Sequence, residues 1–155
     1  MNFDIDIYRS VGPLTFGMGQ HEVTAVLGVI DQTVLADDAI VELYCTRFDL
    51  LAQVRSDTDQ LCEVGFGHRA TNVCLGAIYF FEQSAQQVIA ELCKLDSTAK
   101  TGFGSIVFPL LGISLTGFLK GGDDARTMTA FAKGHWDSML PEMKSFVLSK
   151  SKSMR

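Results

Sequence analysis

The residues that could do chemistry in this 155-residue chain are three histidines, four cysteines and a group of carboxylates. Histidine acts as an acid or base only when a carboxylate or a nucleophile is positioned beside it. His21, His68 and His135 have no such partner at a recognisable spacing, so we expect them to be solvated or satisfied loop residues. The motifs of serine hydrolases, zinc proteases and phosphate-binding loops are absent, and Gly102-Phe103-Gly104 is predicted to be a turn. The sequence therefore predicts a protein that is not an enzyme.

The cysteines indicate a reducing compartment. They stand at positions 45, 62, 74 and 93, with no C-x-x-C pair and no histidine spacing that suits zinc. We therefore predict that all four are small core residues, and we expect no metal and no cofactor. The N-terminus has neither a basic region nor an apolar stretch, so the expected location is cytoplasmic.

Acidic side chains crowd the first half of the chain, and the formal net charge is -5. The crowded residues are Asp37, Asp38, Glu42, Asp49, Asp57, Asp59 and Glu63. They form either a solvated rim or an acidic patch that complements a basic protein. A nucleic-acid partner is excluded because phosphate binding needs concentrated Lys and Arg.

Two aromatic residues are candidates for a protein interface. The apolar alternation that starts at Ile113 predicts that Leu119 points inward and Phe118 outward, among hydroxyl side chains. An exposed aromatic in such a setting is typical of an interface core, unless a C-terminal helix covers it. Trp136 follows the last predicted strand and has the same two interpretations. The predicted partner-binding set is Asp37, Asp38, Glu42, Asp49, Glu63, Phe118 and Trp136.

The elements that must position these residues fall into two similar halves. In the first, a helix over 20–27 ends at Gly28, and strands follow over 39–44, 48–54 and 61–66. In the second, a strand over 77–81 precedes a helix that Ser84 and Gln87 open as a capping box. Strands over 105–108, 113–119 and 127–132 then complete a second antiparallel meander.

The two halves align without a gap when 65 is added to the residue number. Val23 then falls on Val88 and Phe66 on Phe131, and helices and strands coincide. The uncharged run 101–119 contains Pro109 and several glycines, so it is predicted to be two strands joined by a turn rather than a membrane span. Which face the last strand buries is left open, because Met128, Ala130 and Ala132 form an alternative inward set, shifted by one residue.

The predicted fold class is α+β, as a single domain over 1–155. It consists of two tandem helix-plus-antiparallel-meander repeats, over about 11–68 and 76–133. They form a curved sheet with helices on one face. A C-terminal helix is predicted over about 138–149, with Pro141 in its first turn.

Short motifs carry a family resemblance. The run Val11-Gly12-Pro13-Leu14-Thr15-Phe16-Gly17-Met18, followed by Glu22-Val23 and Leu27-Gly28, resembles a pattern of small bacterial helix-plus-meander domains. These include the β-lactamase inhibitor protein, whose two repeats form a concave binding surface, and outer-membrane assembly lipoproteins. The lipoproteins are disfavoured because the N-terminus lacks a signal and a lipobox cysteine. Phe108-Pro109-Leu110-Leu111-Gly112-Ile113-Ser114-Leu115 and Ala132-Lys133-Gly134-His135-Trp136-Asp137 resemble segments of immunity proteins that neutralise contact-dependent toxins.

Three functions are compared on these grounds. The first is a bacterial immunity protein that binds a basic toxin domain, such as a nuclease, as a monomer or weak dimer and without contact to a membrane. The second is an acidic secretion chaperone, an obligate dimer that holds an effector segment on exposed apolar patches. The third, placed last, is an enzyme of unrecognised class with titratable groups in a pocket.

Overall fold

The computed structural model describes residues 1–37, 39–120 and 122–148. Within these ranges the protein is mostly β, with fourteen strands and two α-helices. In chain order the elements are β1 (Phe3–Asp6), β2 (Ser10–Val11), β3 (Leu14–Thr15), α1 (Gln20–Leu27), β4 (Gln32–Asp37), β5 (Ile40–Cys45), β6 (Leu50–Arg55), β7 (Gln60–Gly67), β8 (Val73–Leu75), β9 (Ile78–Tyr79), α2 (Ala85–Leu95), β10 (Lys100–Gly102), β11 (Ser105–Phe108), β12 (Ile113–Thr116), β13 (Thr127–Phe131) and β14 (Lys144–Ser145).

The strands form two sheets. The smaller sheet has five strands in the order β3-β2-β1-β8-β9, and the larger has nine in the order β14-β10-β11-β12-β13-β7-β6-β5-β4. The pairing of β1 with β8 is parallel, and the ladders of the larger sheet are antiparallel. Strands β4 to β7 and strands β10 to β13 are each built from neighbours along the chain, whereas the ladders of β7 with β13 and of β10 with β14 join distant segments.

Both helices form where the apolar periodicity predicts them. Val23 and Leu27 are the buried residues of α1, which ends at Gly28 with φ 85. Such a positive φ has little cost for glycine and stops the helix. The backbone N–H of Gln87 donates to the Ser84 hydroxyl, which caps α2 as predicted.

One main core lies between the helices, the small sheet and one face of the large sheet, which we call the inner face. The alternation along β6 is typical: Leu50, Ala52 and Val54 are buried on the inner face. The large sheet's inner residues share a single cluster with those of α1 and α2. The opposite side of the large sheet is the outer face.

The alternation along β13 settles which side of that strand is buried. Met128 and Ala130 lie in the main core, whereas Phe131 belongs to a second cluster with Val107 and Met143. Tyr8, Trp136 and Leu140 pack against this second cluster. Each side of β13 therefore has at least one buried apolar residue, which explains why the sequence pattern fitted two opposite orientations.

The predicted fold class is wrong. We expected an α+β fold of two helix-plus-meander repeats with a C-terminal helix, and the described residues instead form a mostly β protein with two sheets. Strands β4 and β10 were not predicted. Strand β4 is a largely exposed edge strand, so it has no buried apolar alternation to reveal it. Strand β10 has three residues, Lys100–Gly102, and presents none of them as an apolar core residue.

The predicted C-terminal helix is also wrong over the part of 138–149 that the structure describes. Leu140–Glu142 forms one 3-10 turn, and β14 then pairs with β10. Met143 is buried in the second cluster, whereas Val147 is 82% exposed. The apolar spacing that predicted a helix therefore belongs to a turn and an edge strand. The backbone of β14 forms its hydrogen bonds with β10 instead of within a helix. Residue 149 lies outside the described ranges.

A buried carboxylate fastens α2 to the loop that precedes β12. Asp96 caps the C-terminus of α2 and is fully buried. Its Oδ1 accepts from the backbone N–H and the hydroxyl of Thr98, at 2.7 and 2.6 Å, and its Oδ2 accepts from the N–H of Leu110 at 2.8 Å. These hydrogen bonds satisfy a buried carboxylate that would be costly without them.

We predict that Asp96→Ala lowers the free energy of unfolding by about 2–4 kcal/mol, because it removes the three hydrogen bonds that join α2 to the loop before β12. Urea titration followed by circular dichroism measures this change. Asp57→Ala is the matched control, since Asp57 is an exposed carboxylate on the β6–β7 hairpin. Equal unfolding free energies for the two variants would show that Asp96 does not hold this loop.

Candidate functional site

The outer face of the large sheet is only partly covered. Over β11 and β13 the C-terminal segment closes it, since Met143, Trp136 and Leu140 pack against Val107 and Phe131. Over β5, β6 and β7 the outer side chains are only half-buried. This exposed part is a side of the sheet on which another molecule can lie.

A groove of about 290 Å³ crosses the exposed part of the outer face. Tyr44, Leu51 and Thr129 contribute to its walls, and Gly65 is among its lining residues. A Cβ atom added to Gly65 would lie 3.3 Å from Thr129 Oγ1, which is tight. Glycine in a strand often marks such a close approach, and here it leaves space on the open face.

Asp49 lies at one end of the groove and is held by the backbone. It adopts a left-handed conformation with φ 50, and its Oδ2 accepts from the N–H of Arg69 at 3.0 Å. A Cβ atom at Gly67 would clash with the same oxygen, so glycine there leaves the carboxylate its place. Asp49 therefore has a structural role in addition to its place in the groove.

A row of polar side chains lies beside the groove on three adjacent strands. Glu42, Gln53 and Glu63 are register neighbours on β5, β6 and β7. Gln53 Nε2 donates to Glu42 Oε2 at 2.9 Å, and the Tyr44 hydroxyl donates to Glu42 Oε1 at 3.3 Å. These hydrogen bonds orient the Glu42 carboxylate on the open face.

Glu63 is joined to the segment that covers the outer face. Its Oε1 accepts from Trp136 Nε1 at 2.9 Å, and the Trp136 ring stacks on Phe131 with centroids 5.2 Å apart. Burial raises the pKa of the Glu63 carboxyl above its ordinary value, the Trp136 hydrogen bond opposes this, and Glu42 adds to it. The indole therefore stabilises a carboxylate that burial disfavours.

The titratable groups around Glu63 are poorly suited to nucleophilic catalysis. His135 Nε2 lies 3.8 Å from Glu63 Oε1, but burial and the charge of Arg55 lower the pKa of His135. The neighbouring Cys62 thiol has its pKa raised to about 11, chiefly by burial. A thiol with such a pKa stays protonated at neutral pH, and the thiolate is the reactive form.

The structure brings together some of the predicted partner-binding residues. Glu42, Glu63 and Trp136 belong to the outer face, and Asp49 lines its groove. Asp37 is apart from them at the exposed end of β4, where its Oδ1 accepts from the N–H of Ala39. Asp38 lies outside the described residues.

Phe118 is not exposed, and its predicted direction is wrong. It is 6% exposed and belongs to the main core, with its ring 6.4 Å from that of Phe81 and 5.3 Å from the Arg126 guanidinium. The strand ends at Thr116, and Gly117 turns the chain with φ 76, so the alternation does not continue. Leu119, predicted to be inward, is 59% exposed instead.

Tyr44 and Leu51 were missed as candidates. A signal existed, because Leu51 interrupts the polar side of an otherwise regular alternation in β6. An apolar residue on the expected solvent side, opposite a strand with Gly65 and Gly67, is typical of a contact surface. The spacing of residues along the chain does not give the register of β6 with β7, which places Leu51 opposite Gly65.

No protein family model, curated protein or solved structure matches the chain. Among the described residues there is no group of three or more His, Cys, Asp or Glu side chains that could hold a metal ion. Neither α1 nor α2, the helices of the part that the structure describes, is long and apolar enough to cross a membrane.

We predict that Glu63→Gln removes a pH dependence of stability. Folded Glu63 keeps its proton to a higher pH than the unfolded chain does, so the folded state binds more protons between the ordinary value of 4.5 and the raised pKa. Its contribution to stability is therefore greatest below 4.5 and declines as pH rises through the folded pKa. The unfolding free energy of E63Q minus that of wild type should increase across this window and then level off.

Urea titrations of both proteins over a pH series measure this difference. Glu82→Gln is the matched control for the substitution itself, since Glu82 is an exposed glutamate. A constant difference for E63Q would mean that burial does not perturb Glu63.

Proposed function

We propose that this protein is an immunity protein that binds and neutralises a bacterial toxin domain through the exposed part of its outer face. The observation that carries the proposal is the groove in that face, where Tyr44 and Leu51 stand beside a glycine and an oriented carboxylate. Tyrosine beside apolar surface, with polar groups around it, is the composition of a protein-binding hot spot.

Charge supports a basic partner. Glu42 lies in the open row with its carboxylate fixed by Gln53 and Tyr44, and the chain carries a formal net charge of -5. Arg55, on the same strand as Gln53, is already paired with Asp57 at 2.7 Å. A lysine or arginine of the partner that reaches Glu42 therefore meets a carboxylate with no cationic partner of its own among the described contacts.

The rigidity of the face also supports binding. Tyr44, Leu51 and Thr129 lie on paired strands rather than on loops, so little conformational entropy is lost when a partner orders them. If the toxin is a nuclease, its substrate groove is basic and complements this surface.

One observation favours the secretion chaperone as a second candidate. Strand β4 is an edge of the large sheet, and Leu35 on it is 63% exposed. An extended effector segment can add to such an edge as a further strand. A chaperone would then bind an unfolded segment, whereas an immunity protein binds a folded domain.

The proposal is tested by affinity purification from lysate of the native bacterium, followed by reconstitution. The partner is identified by mass, produced recombinantly, and assayed for toxicity with and without this protein. Loss of toxicity at one-to-one stoichiometry supports the immunity function. A partner that is unfolded when bound would favour the chaperone, and a partner with no toxic activity would contradict the proposal.

We predict that Tyr44→Ala weakens binding to the reconstituted partner by roughly 1–3 kcal/mol, because it removes an aromatic side chain from the groove. Titration calorimetry measures the affinity, and thermal unfolding shows whether the variant is folded. Tyr79→Ala is the matched control, since Tyr79 is an exposed tyrosine on the small sheet. Equal affinities for the two variants would remove the groove from the interface.

We also predict that Glu42→Lys slows association with the partner and reduces its dependence on salt, since the attraction to basic groups becomes a repulsion. Stopped-flow measurements at low and high ionic strength give both quantities. Asp57→Lys is the control, because it makes the same change of charge at an exposed aspartate on the β6–β7 hairpin. If E42K associates as fast as D57K at low salt, the partner does not meet this carboxylate.

A further inference from the structure

The turn between β10 and β11 has an unfavourable residue at its tip. Gly102 pairs with Ser105, so Phe103 and Gly104 form a two-residue hairpin loop. Both have positive φ, 53 for Phe103 and 78 for Gly104, as a type I′ turn requires. Asn-Gly is the preferred sequence for that turn, and a bulky residue in the left-handed region is strained.

Packing does not compensate for the strain at Phe103, because the residue is 64% exposed. A large aromatic at an exposed tip therefore stands where an asparagine would be better for folding. Residues in strained conformations that persist at an exposed site are typical of functional positions.

The surface next to Phe103 is apolar and contains a pocket. A cavity of about 300 Å³ is lined by Gly104, which follows Phe103, and by Ile106, Leu115 and Leu119. Leu119 is itself 59% exposed. Leu119 thus stands at a concave site whose lining includes core residues of the inner face, and Phe103 directly precedes Gly104 of that lining. A site of this shape accepts one apolar side chain.

A strip of hydroxyl groups connects this pocket to the groove of the outer face. Ser105 lines the pocket, and its hydroxyl lies 2.9 Å from that of Thr116. Thr116 is the register neighbour of Thr127, which lines the groove. The strip crosses β11, β12 and β13, a distance of about 10 Å at the usual ~4.8 Å strand spacing.

The area of the exposed outer face indicates that a partner must extend beyond it. The exposed part and its groove extend over four neighbouring strands, from β5 to β13, which span about 14 Å, and a strand of five residues is about 17 Å long. The product, about 240 Å², is well below the ~800 Å² that each protein buries in a stable complex.

We propose that Phe103 and Leu119 form a second anchor site of the interface, and that the folded partner bound to the outer face inserts an apolar side chain into the pocket beside them. This inference rests on the proposed function, and it adds a second contact site to the groove of the outer face.

Phe103→Asn separates binding from folding. Asparagine followed by glycine suits the turn, so the melting temperature stays equal or rises. The dissociation constant for the reconstituted partner increases at least tenfold, measured by calorimetry. Leu110→Asn is the control, because Leu110 is 57% exposed in the turn at the opposite end of β11. It changes the dissociation constant less than twofold.

Leu119→Asn gives a second variant that does not touch the hairpin, and it also weakens binding at least tenfold. If the wild-type protein forms the complex and both F103N and L119N bind with wild-type affinity, this inference is overturned and the proposed function is unaffected. Failure of the wild-type protein to bind any toxin domain overturns both. A homodimer seen by light scattering and abolished by F103N also overturns it, since a second copy of the chain would then occupy the site.

Discussion

The antiparallel ladder between β7 and β13 is the constraint on which the rest of the large sheet depends. It joins the strands β4 to β7 to the strands β10 to β13, with register pairs from Thr127↔Gly67 to Phe131↔Glu63. The same register places Met128 opposite Phe66 in the core and Thr129 opposite Gly65 in the groove. Because side chains alternate between faces, a slip of one residue would expose the core pair and bury the groove. The binding surface and the hydrophobic core are therefore fixed by one set of hydrogen bonds.

Sequence patterns were informative where burial was one-sided and failed where it was not. The helix that ends at Gly28, the Ser84 cap and the two strands around Pro109 were all predicted, since each has a local signal in its own residues. Strand β4 was missed because an exposed edge needs no apolar alternation, and Leu140 and Met143 suggested a helix because a 3-10 turn shares its early spacing. The error at Phe118 has a similar origin, since only the positive φ of Gly117 shows where the alternation stops. Among the candidate site residues, Glu42, Glu63 and Trp136 were predicted, but their contacts depend on strand pairing that no local signal encodes.

The second cluster determines how much of the outer face remains available. Val107 and Phe131 point to that face and would be exposed apolar residues without Met143 and Trp136 above them. Covering them places the Trp136 indole against Glu63, and the hydrogen bond between these two side chains fixes the border of the cover. A buried carboxylate is costly unless it is hydrogen-bonded. Glu63 therefore lies at the border between the covered and the exposed parts of the outer face, and the surface available to a partner starts beyond it.

Both proposed contact regions are attached to the rest of the fold, and this attachment favours tight binding through a small surface. The loop that carries Leu119 returns to β13 through Arg126, which is buried and donates to the carbonyls of Phe80 and Gln83 at 3.2 and 2.7 Å, just before α2. The same guanidinium contacts the ring of Phe118 and pairs with Asp123 at 2.7 Å. Leu119 is thereby attached to the helix layer, while Tyr44 is held by the sheet. Side chains fixed before binding lose little entropy on contact, so affinity depends on how well the few anchors fit rather than on the area covered.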